Sequence, residues 1–146
     1  LTHFHSDHYG GLTDRWNDGP IYTSTQTAAL VVNNLGVDAA LVSAVDIGSS
    51  ITVDDVQVTF IDANHCPGAS MLLFRLKDGT LHLHSGDMRY HPSMENDVSL
   101  LNAKKHGISK LYLDTTYCHK KHTFQCQEDS IVQVVQVIDY SSPKCV

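Results

Sequence analysis

The stretch Leu1-Thr2-His3-Phe4-His5-Ser6-Asp7-His8-Tyr9-Gly10-Gly11-Leu12 decides how this chain is read. It places four metal-binding side chains, His3, His5, Asp7 and His8, within six residues. Alternate residues of an extended segment share a face, so His3, His5 and Asp7 converge on one region. His8 follows as the chain turns. Imidazole and carboxylate together suit zinc or a similar divalent ion. A hydrophobic core has no use for three imidazoles and a carboxylate side by side. Gly10 and Gly11 let the backbone approach closely behind them. The blander readings are a histidine-rich surface loop and a structural zinc. The dense spacing opposes the first. The second is weakened because structural sites favour cysteine and closed tetrahedra, whereas mixed His and carboxylate sites keep open positions.

Working outward, 146 residues suffice for one domain with a sizeable core. The hydrophobic fraction of 42% is that of an ordinary globular protein. No apolar run reaches the length of a membrane span, and no signal-peptide pattern opens the chain. The chain begins inside the metal motif, without residues for the strand expected to carry it. It is therefore expected to be a fragment of a longer protein, and absent targeting signals carry little weight. Cys66, Cys118, Cys126 and Cys145 show no C-x-x-C spacing and suit a reducing compartment. The net charge of −6 argues mildly against a nucleic-acid surface. Bound divalent cations would offset part of that acidity.

The hydrophobic pattern predicts a mixed order of strands and helices. Ile21-Tyr22-Thr23 reads as a strand. Ser24 caps a helix whose apolar face is Ala28, Val31, Val32 and Leu35, and Gly36 stops it. Val56–Ile61 alternates as a half-buried strand does. The loop Asp62-Ala63-Asn64-His65-Cys66-Pro67-Gly68-Ala69 leads into a strand from Met71 to Leu76. A turn at 77–80 returns the chain along Leu81–His84. Met94–His106 is predicted helical, entered after Pro92 and ended by Gly107. Leu111-Tyr112-Leu113 reads as a strand ending at Asp114. Ile131, Val134, Val135 and Ile138 mark an amphipathic helix. This order predicts an α/β layered domain or an αβ/βα sandwich.

Polar motif residues repeatedly follow apolar strands, where rigid elements hold loops in place. His65 follows one such strand. Asp87, in His84-Ser85-Gly86-Asp87, follows another, and Asp114 ends a third. Each has an ordinary reading as a loop, cap or turn residue. Beside His3 to His8, a shared metal cluster is the better account. His82, His84, His91, His106, His119 and His122 are expected at the surface or in support of the site. Lys104, Lys105 and His106 suit a helix C-terminus, and Lys120 and Lys121 a solvated pair.

Four segments carry a family resemblance: the H-x-H-x-D-H run, Asp62 to Ala69, His84 to Asp87, and Leu113-Asp114-Thr115-Thr116-Tyr117-Cys118. Together they resemble the metallo-β-lactamase superfamily, and within it the β-CASP nucleases of DNA interstrand cross-link repair. The first motif belongs to the whole superfamily; the Asn-His-Cys-Pro-Gly loop and the Leu-Asp-Thr-Thr-Tyr-Cys segment belong to the repair branch. The resemblance implies an incomplete metallo-β-lactamase sandwich over 1–117 and the start of a truncated β-CASP region over 118–146. It implies that His3, His5 and His65 hold one metal, and that Asp7 and His8 hold the other, with Asp87 bridging. Asp7, Asp87 and Asp114 are the implied catalytic acids. One or two zinc ions are the implied cofactor, with magnesium or manganese as alternatives.

Two divalent ions about 3.5–4 Å apart can activate a water and neutralise a phosphoryl oxygen. By resemblance, the complete protein would be a 5′-to-3′ DNA exonuclease of the nucleus, acting on single-stranded DNA or on a free 5′ end. The family also has an acid upstream of this chain and a later histidine ligand, so the isolated chain is expected to bind metal weakly and to be inactive alone. An RNA-processing β-CASP endonuclease shares the ligands and is the nearest rival. A small-molecule hydrolase fits less well. A non-catalytic remnant with a binding role stays open.

Overall fold

Alternation along the central strands gives this fold two buried sheet faces. In the strand Ser70–Arg75, Met71 and Leu73 turn to one side, while Leu72 and Phe74 turn to the other. The computed structural model describes residues 1–141. Cys145, one of the four cysteines of the sequence, lies outside them, as does the end of the stretch 118–146. The chain divides into two compact units, Leu1–Asp114 and the stretch from Thr115 onward.

In the first unit, β1 (Ile21–Ser24), α1 (Thr25–Leu35) and β2 (Val42–Val45) form a β-α-β turn with β1 and β2 parallel. β3 (Ser50–Val53), β4 (Val56–Asp62), β5 (Ser70–Arg75), β6 (Leu81–His84) and β7 (Lys110–Tyr112) form a five-stranded sheet in that order. The first three pairings are antiparallel; β6 and β7 are parallel. α2 (Val98–His106) crosses over between β6 and β7.

One sheet face carries Ile61, Met71, Leu73, Leu81 and Leu83, packed with Ala103 of α2. The opposite face carries Val58 and Phe60, packed with Val45 of β2. A third cluster joins Ile21, Val31 and Val37 to Phe4 and Trp16, which anchors the histidine-rich segment to α1. Along the Phe60 face runs a largely apolar groove of about 860 Å³, walled by Trp16, Ile21, Phe60, Phe74 and Tyr112 and reaching His8.

α1 follows its sequence signals. Ser24 accepts a hydrogen bond from Thr27 N–H, and Gly36 closes the helix in the left-handed region at φ 71°. The single helix expected over Met94–His106 is in fact two pieces. A 3-10 turn spans Pro92–Asn96, and α2 starts only at Val98. Asp97 separates them because its extended backbone and side chain make it a cap: it accepts from Leu100 N–H at 2.9 Å. β2 and β3 have no counterpart in the sequence reading. β4 is buried over Val58, Thr59, Phe60 and Ile61, so both of its faces are covered where one was expected.

In the second unit, α3 (Gln127–Ser141) contains the expected helix. Its apolar residues Ile131, Val134, Val135 and Ile138 are exposed. Ahead of it, the rings of Tyr117, His122 and Phe124 cluster.

Among the described residues, no helix is long and apolar enough to cross a membrane.

Candidate metal centre

The histidine-rich segment is held from both sides by backbone and hydroxyl groups. The Leu1 backbone nitrogen donates to Tyr22 O at 2.9 Å, and Thr23 Oγ1 donates to Leu1 O at 2.9 Å. Ser70 N–H and Ser70 Oγ both donate to Thr2 O, at 3.0 and 3.1 Å. Residues 1 and 2 are thus pinned to β1 and to the start of β5. His3 emerges from this anchorage fully buried. After it the chain turns, with His8 and Tyr9 N–H both donating to His5 O. That turn carries Asp7 and His8 round to the same side.

His65 arrives on the loop between β4 and β5. Asn64 takes a positive φ of 51°, and Asp62 Oδ1 accepts its N–H at 2.8 Å. The far end of the loop is clasped by α1: Ser24 Oγ donates to Gly68 O at 2.6 Å. A Cβ on Gly68 would stand 2.8 Å from Ser24 Oγ and from Gln26 Cβ, and Gly68 has a φ of +82°. Only glycine brings the loop this close to the helix start.

Asp87 arrives on the loop after β6. Ser85 is buried; its hydroxyl donates to Gly86 O at 2.8 Å and accepts Asp114 N–H at 2.8 Å. Met88 N–H donates to Asp114 Oδ2 at 3.2 Å. His84 Nδ1 accepts Gly86 N–H at 2.9 Å. The residues on either side of Asp87 are therefore tied down.

These three segments bring two donor sets together. His3, His5, His65 and Asp87 form one; Asp7, His8 and Asp87 form the other. Within each set the donor atoms all lie within 4.8 Å of one another. Asp87 belongs to both through different oxygens. Its Oδ2 is 3.7 Å from His3 Nε2 and from His65 Nε2, while its Oδ1 is 3.1 Å from His8 Nε2. Asp7 Oδ2 lies 3.7 Å from His8 Nε2.

The first set fits a divalent cation for a specific reason. His5 Nδ1 is 3.0 Å from His3 Nε2 and 3.1 Å from His65 Nε2. A ring nitrogen carries either one proton or one in-plane lone pair, so His5 Nδ1 can serve only one of these neighbours well. A cation among the three nitrogens takes a lone pair from each. Electrostatics agree with that use. Burial, followed by the neighbouring His8, pulls the His3 pKa down to about 4, which keeps the ring neutral and able to ligate. Burial, then the Asp87 carboxylate, pushes the Cys66 thiol up, so the cysteine beside His65 stays protonated and is a poor metal ligand.

Every residue expected to hold metal, His3, His5, Asp7, His8, His65 and Asp87, stands in one of the two sets. Asp114 does not. It accepts the N–H of Met88 and donates its own N–H to the hydroxyl of Ser85, residues that flank Asp87 in the same loop. His84, expected at the surface or in support of the site, accepts Gly86 N–H in that loop. Four contributors escaped the sequence reading: Thr2, Ser24 as a loop clasp, Ser85 and Gly86. Ser85 and Gly86 lay inside a quoted motif, but their contacts depend on Asp114 and Thr2, distant in sequence.

The beta-lactamase superfamily domain model matches residues 1–140. The chain belongs to that family. Members of this superfamily bind divalent metal, and the paired donor sets are where this chain would hold it. Relatives include DNA cross-link repair protein SNM1 of Arabidopsis thaliana, 44% identical over 94% of this chain and 28% of the relative. DNA cross-link repair 1A protein of Homo sapiens is 47% identical over 90% of this chain and 12% of the relative. The 5′ exonuclease Apollo of Gallus gallus is 38% identical over 94% of this chain and 29% of the relative. The chain thus spans well under a third of the length of these superfamily relatives. A crystal structure of a protein of unknown function from Enterococcus faecalis V583 superposes with a TM-score of 0.65 at 21% identity, covering 94% of this chain and 37% of that one. The two share a fold.

Proposed function

We propose that the complete protein is a metal-dependent DNA phosphodiester hydrolase, a 5′ exonuclease of interstrand cross-link repair working in the nucleus. The observation that carries the reading is the position of Asp87, with one oxygen toward each donor set. Relatives named for DNA cross-link repair and for 5′ exonuclease activity supply the substrate class. His3, His5, His65 and Asp87 would hold one ion; Asp7, His8 and Asp87 would hold the second. Zinc is the proposed ion, since a set of three imidazoles and a carboxylate suits it. Two such ions supply Lewis-acid activation of water and charge relief at a phosphoryl oxygen.

The chain's own residues supply position. Buried His3 and loop-borne His65 fix one half of the centre. Exposed Asp7 and half-buried His8 leave the other half open toward solvent, where a phosphate can approach. Asp114 would hold the Asp87 loop. The stretch 118–146 is proposed as the beginning of a β-CASP region.

The test is cleavage of end-labelled single-stranded DNA by the full-length protein, with Asp87→Ala as control. Stepwise loss from a 5′-phosphorylated end, absent in the control, is expected. Intact DNA beside efficient RNA cleavage would replace the reading with an RNA-processing one.

A further inference from the structure

One hydroxyl touches both halves of the centre. Thr2 Oγ1 lies 3.1 Å from His3 Nδ1 and 3.5 Å from His8 Nδ1. These are the ring nitrogens remote from Asp87, because Nε2 of each histidine faces that carboxylate. His3 belongs to one donor set and His8 to the other.

We infer that Thr2 is a positioning residue shared by the two metal sites, its one hydroxyl fixing the tautomer and ring orientation of both His3 and His8. The inference rests on the metal-centre reading above. A neutral imidazole that ligates through Nε2 carries its proton on Nδ1. A hydroxyl oxygen has two lone pairs, so Thr2 Oγ1 can accept both Nδ1–H groups at once. The His8 contact is at the long limit of a hydrogen bond, so His3 is the more firmly held of the two.

Thr2 is itself fixed without reference to any metal. Its carbonyl accepts two bonds from buried Ser70. Its methyl lies over Gly86: a Cβ on Gly86 would stand 3.1 Å from Thr2 Cβ and Cγ2. Gly86 directly precedes the bridging Asp87. The hydroxyl, the bridging carboxylate's loop and the start of β5 thus form one support under both sites.

The experiment is zinc binding by the full-length protein, measured by competition with a chromophoric chelator, alongside imidazole ¹⁵N NMR of the loaded protein. Wild type is expected to take up two ions. Thr2→Val keeps the branched shape and removes the hydroxyl; it should weaken both binding steps by about 10- to 100-fold, the scale on which lost outer-shell partners act. It should also remove the slowly exchanging Nδ1–H signals of His3 and His8. Thr2→Ser should restore binding and signals, which a purely steric role for the residue would not predict. Unchanged binding in Thr2→Val, or weakening of one step alone, overturns the shared role. Should Thr2→Val fold poorly, Thr2→Ser decides alone: with the hydroxyl kept and the methyl lost, wild-type Nδ1–H signals support the inference and their loss overturns it. Failure of the wild type to bind zinc would remove the metal-centre reading, and this inference with it.

Discussion

Asp114 accepts the backbone N–H of Met88 at 3.2 Å, one residue beyond the carboxylate that joins the two donor sets. Its own N–H returns to Ser85 on the near side of the same loop. An acid so placed is expected to control where Asp87 stands, and this role has a distinct signature. Asp114→Asn keeps an oxygen that can accept from Met88 and should retain most metal binding and cleavage. Asp114→Ala removes the acceptor and should lower both by about 10- to 100-fold. Parallel kcat and metal-content measurements on the two variants check this. Equal collapse of kcat in Asn and Ala, with metal content intact, would instead make Asp114 a proton-transfer group.

The bridging position of Asp87 predicts a difference in stoichiometry between two acids. Asp87→Ala removes a donor from both sets and should reduce bound metal at both sites. Asp7→Ala removes a donor from one set and should leave one ion per chain. Cleavage should be abolished in both variants, with the far-UV circular dichroism of the wild type. Metal counted by mass spectrometry after desalting reads the difference; two ions retained in Asp87→Ala would contradict the bridge.

The clasp between Ser24 and Gly68 predicts a stability effect away from the chemistry. Ser24 caps α1 and also donates to Gly68 O at 2.6 Å. Ser24→Ala loses the cap and leaves a carbonyl without that donor, a cost of about 1–2 kcal/mol. Gly68→Ala should cost more, because the Cβ meets Ser24 and Gln26 at 2.8 Å in a left-handed conformation. Urea unfolding of the metal-free full-length protein measures both, and a smaller loss for Gly68→Ala would contradict the close approach.

His3 predicts the sign of an acid response in the metal-free protein. Its pKa is lowered to about 4, from an ordinary value of 6.5. Between those values the unfolded chain binds a proton that the folded chain refuses. Stability therefore falls as pH drops from about 6.5 toward 4, by an amount on the order of 2 kcal/mol from this group. Urea midpoints of chelator-treated protein across that window should slope downward toward acid. The slope should be shallower in His3→Gln, and a slope unchanged by the substitution would assign it to other groups.

The candidate donors that the fold brings together were legible in the sequence because metal chemistry concentrates unlike residues where packing would not. His3, His5, Asp7 and His8 announce themselves by spacing, and His65 and Asp87 by following apolar strands. Their supports were less legible. Thr2 sits beside His3 in sequence, yet its contact with His8 depends on a turn closed by His5 O. Ser24 reads as a helix cap, and its second bond crosses to a loop 44 residues away. In the fold, β4 to β6 were readable from alternation and turn residues. β2 and β3 are four residues each, at sheet edges with largely exposed patterns, and pairing partners rather than local preference define them. The division of the 94–106 helix was written in Asp97, whose capping preference is stronger than its tolerance inside a helix.

His5 and His65 face one another across sixty residues of sequence. A cation held between them would close that loop much as a disulfide does, and a loop of this length corresponds to about 4 kcal/mol of unfolded-chain entropy. The fastening would be reversible by chelation and indifferent to reductant. Protease survival of the fold would then follow the supply of free metal, so cellular abundance could track metal availability before catalysis is ever called upon.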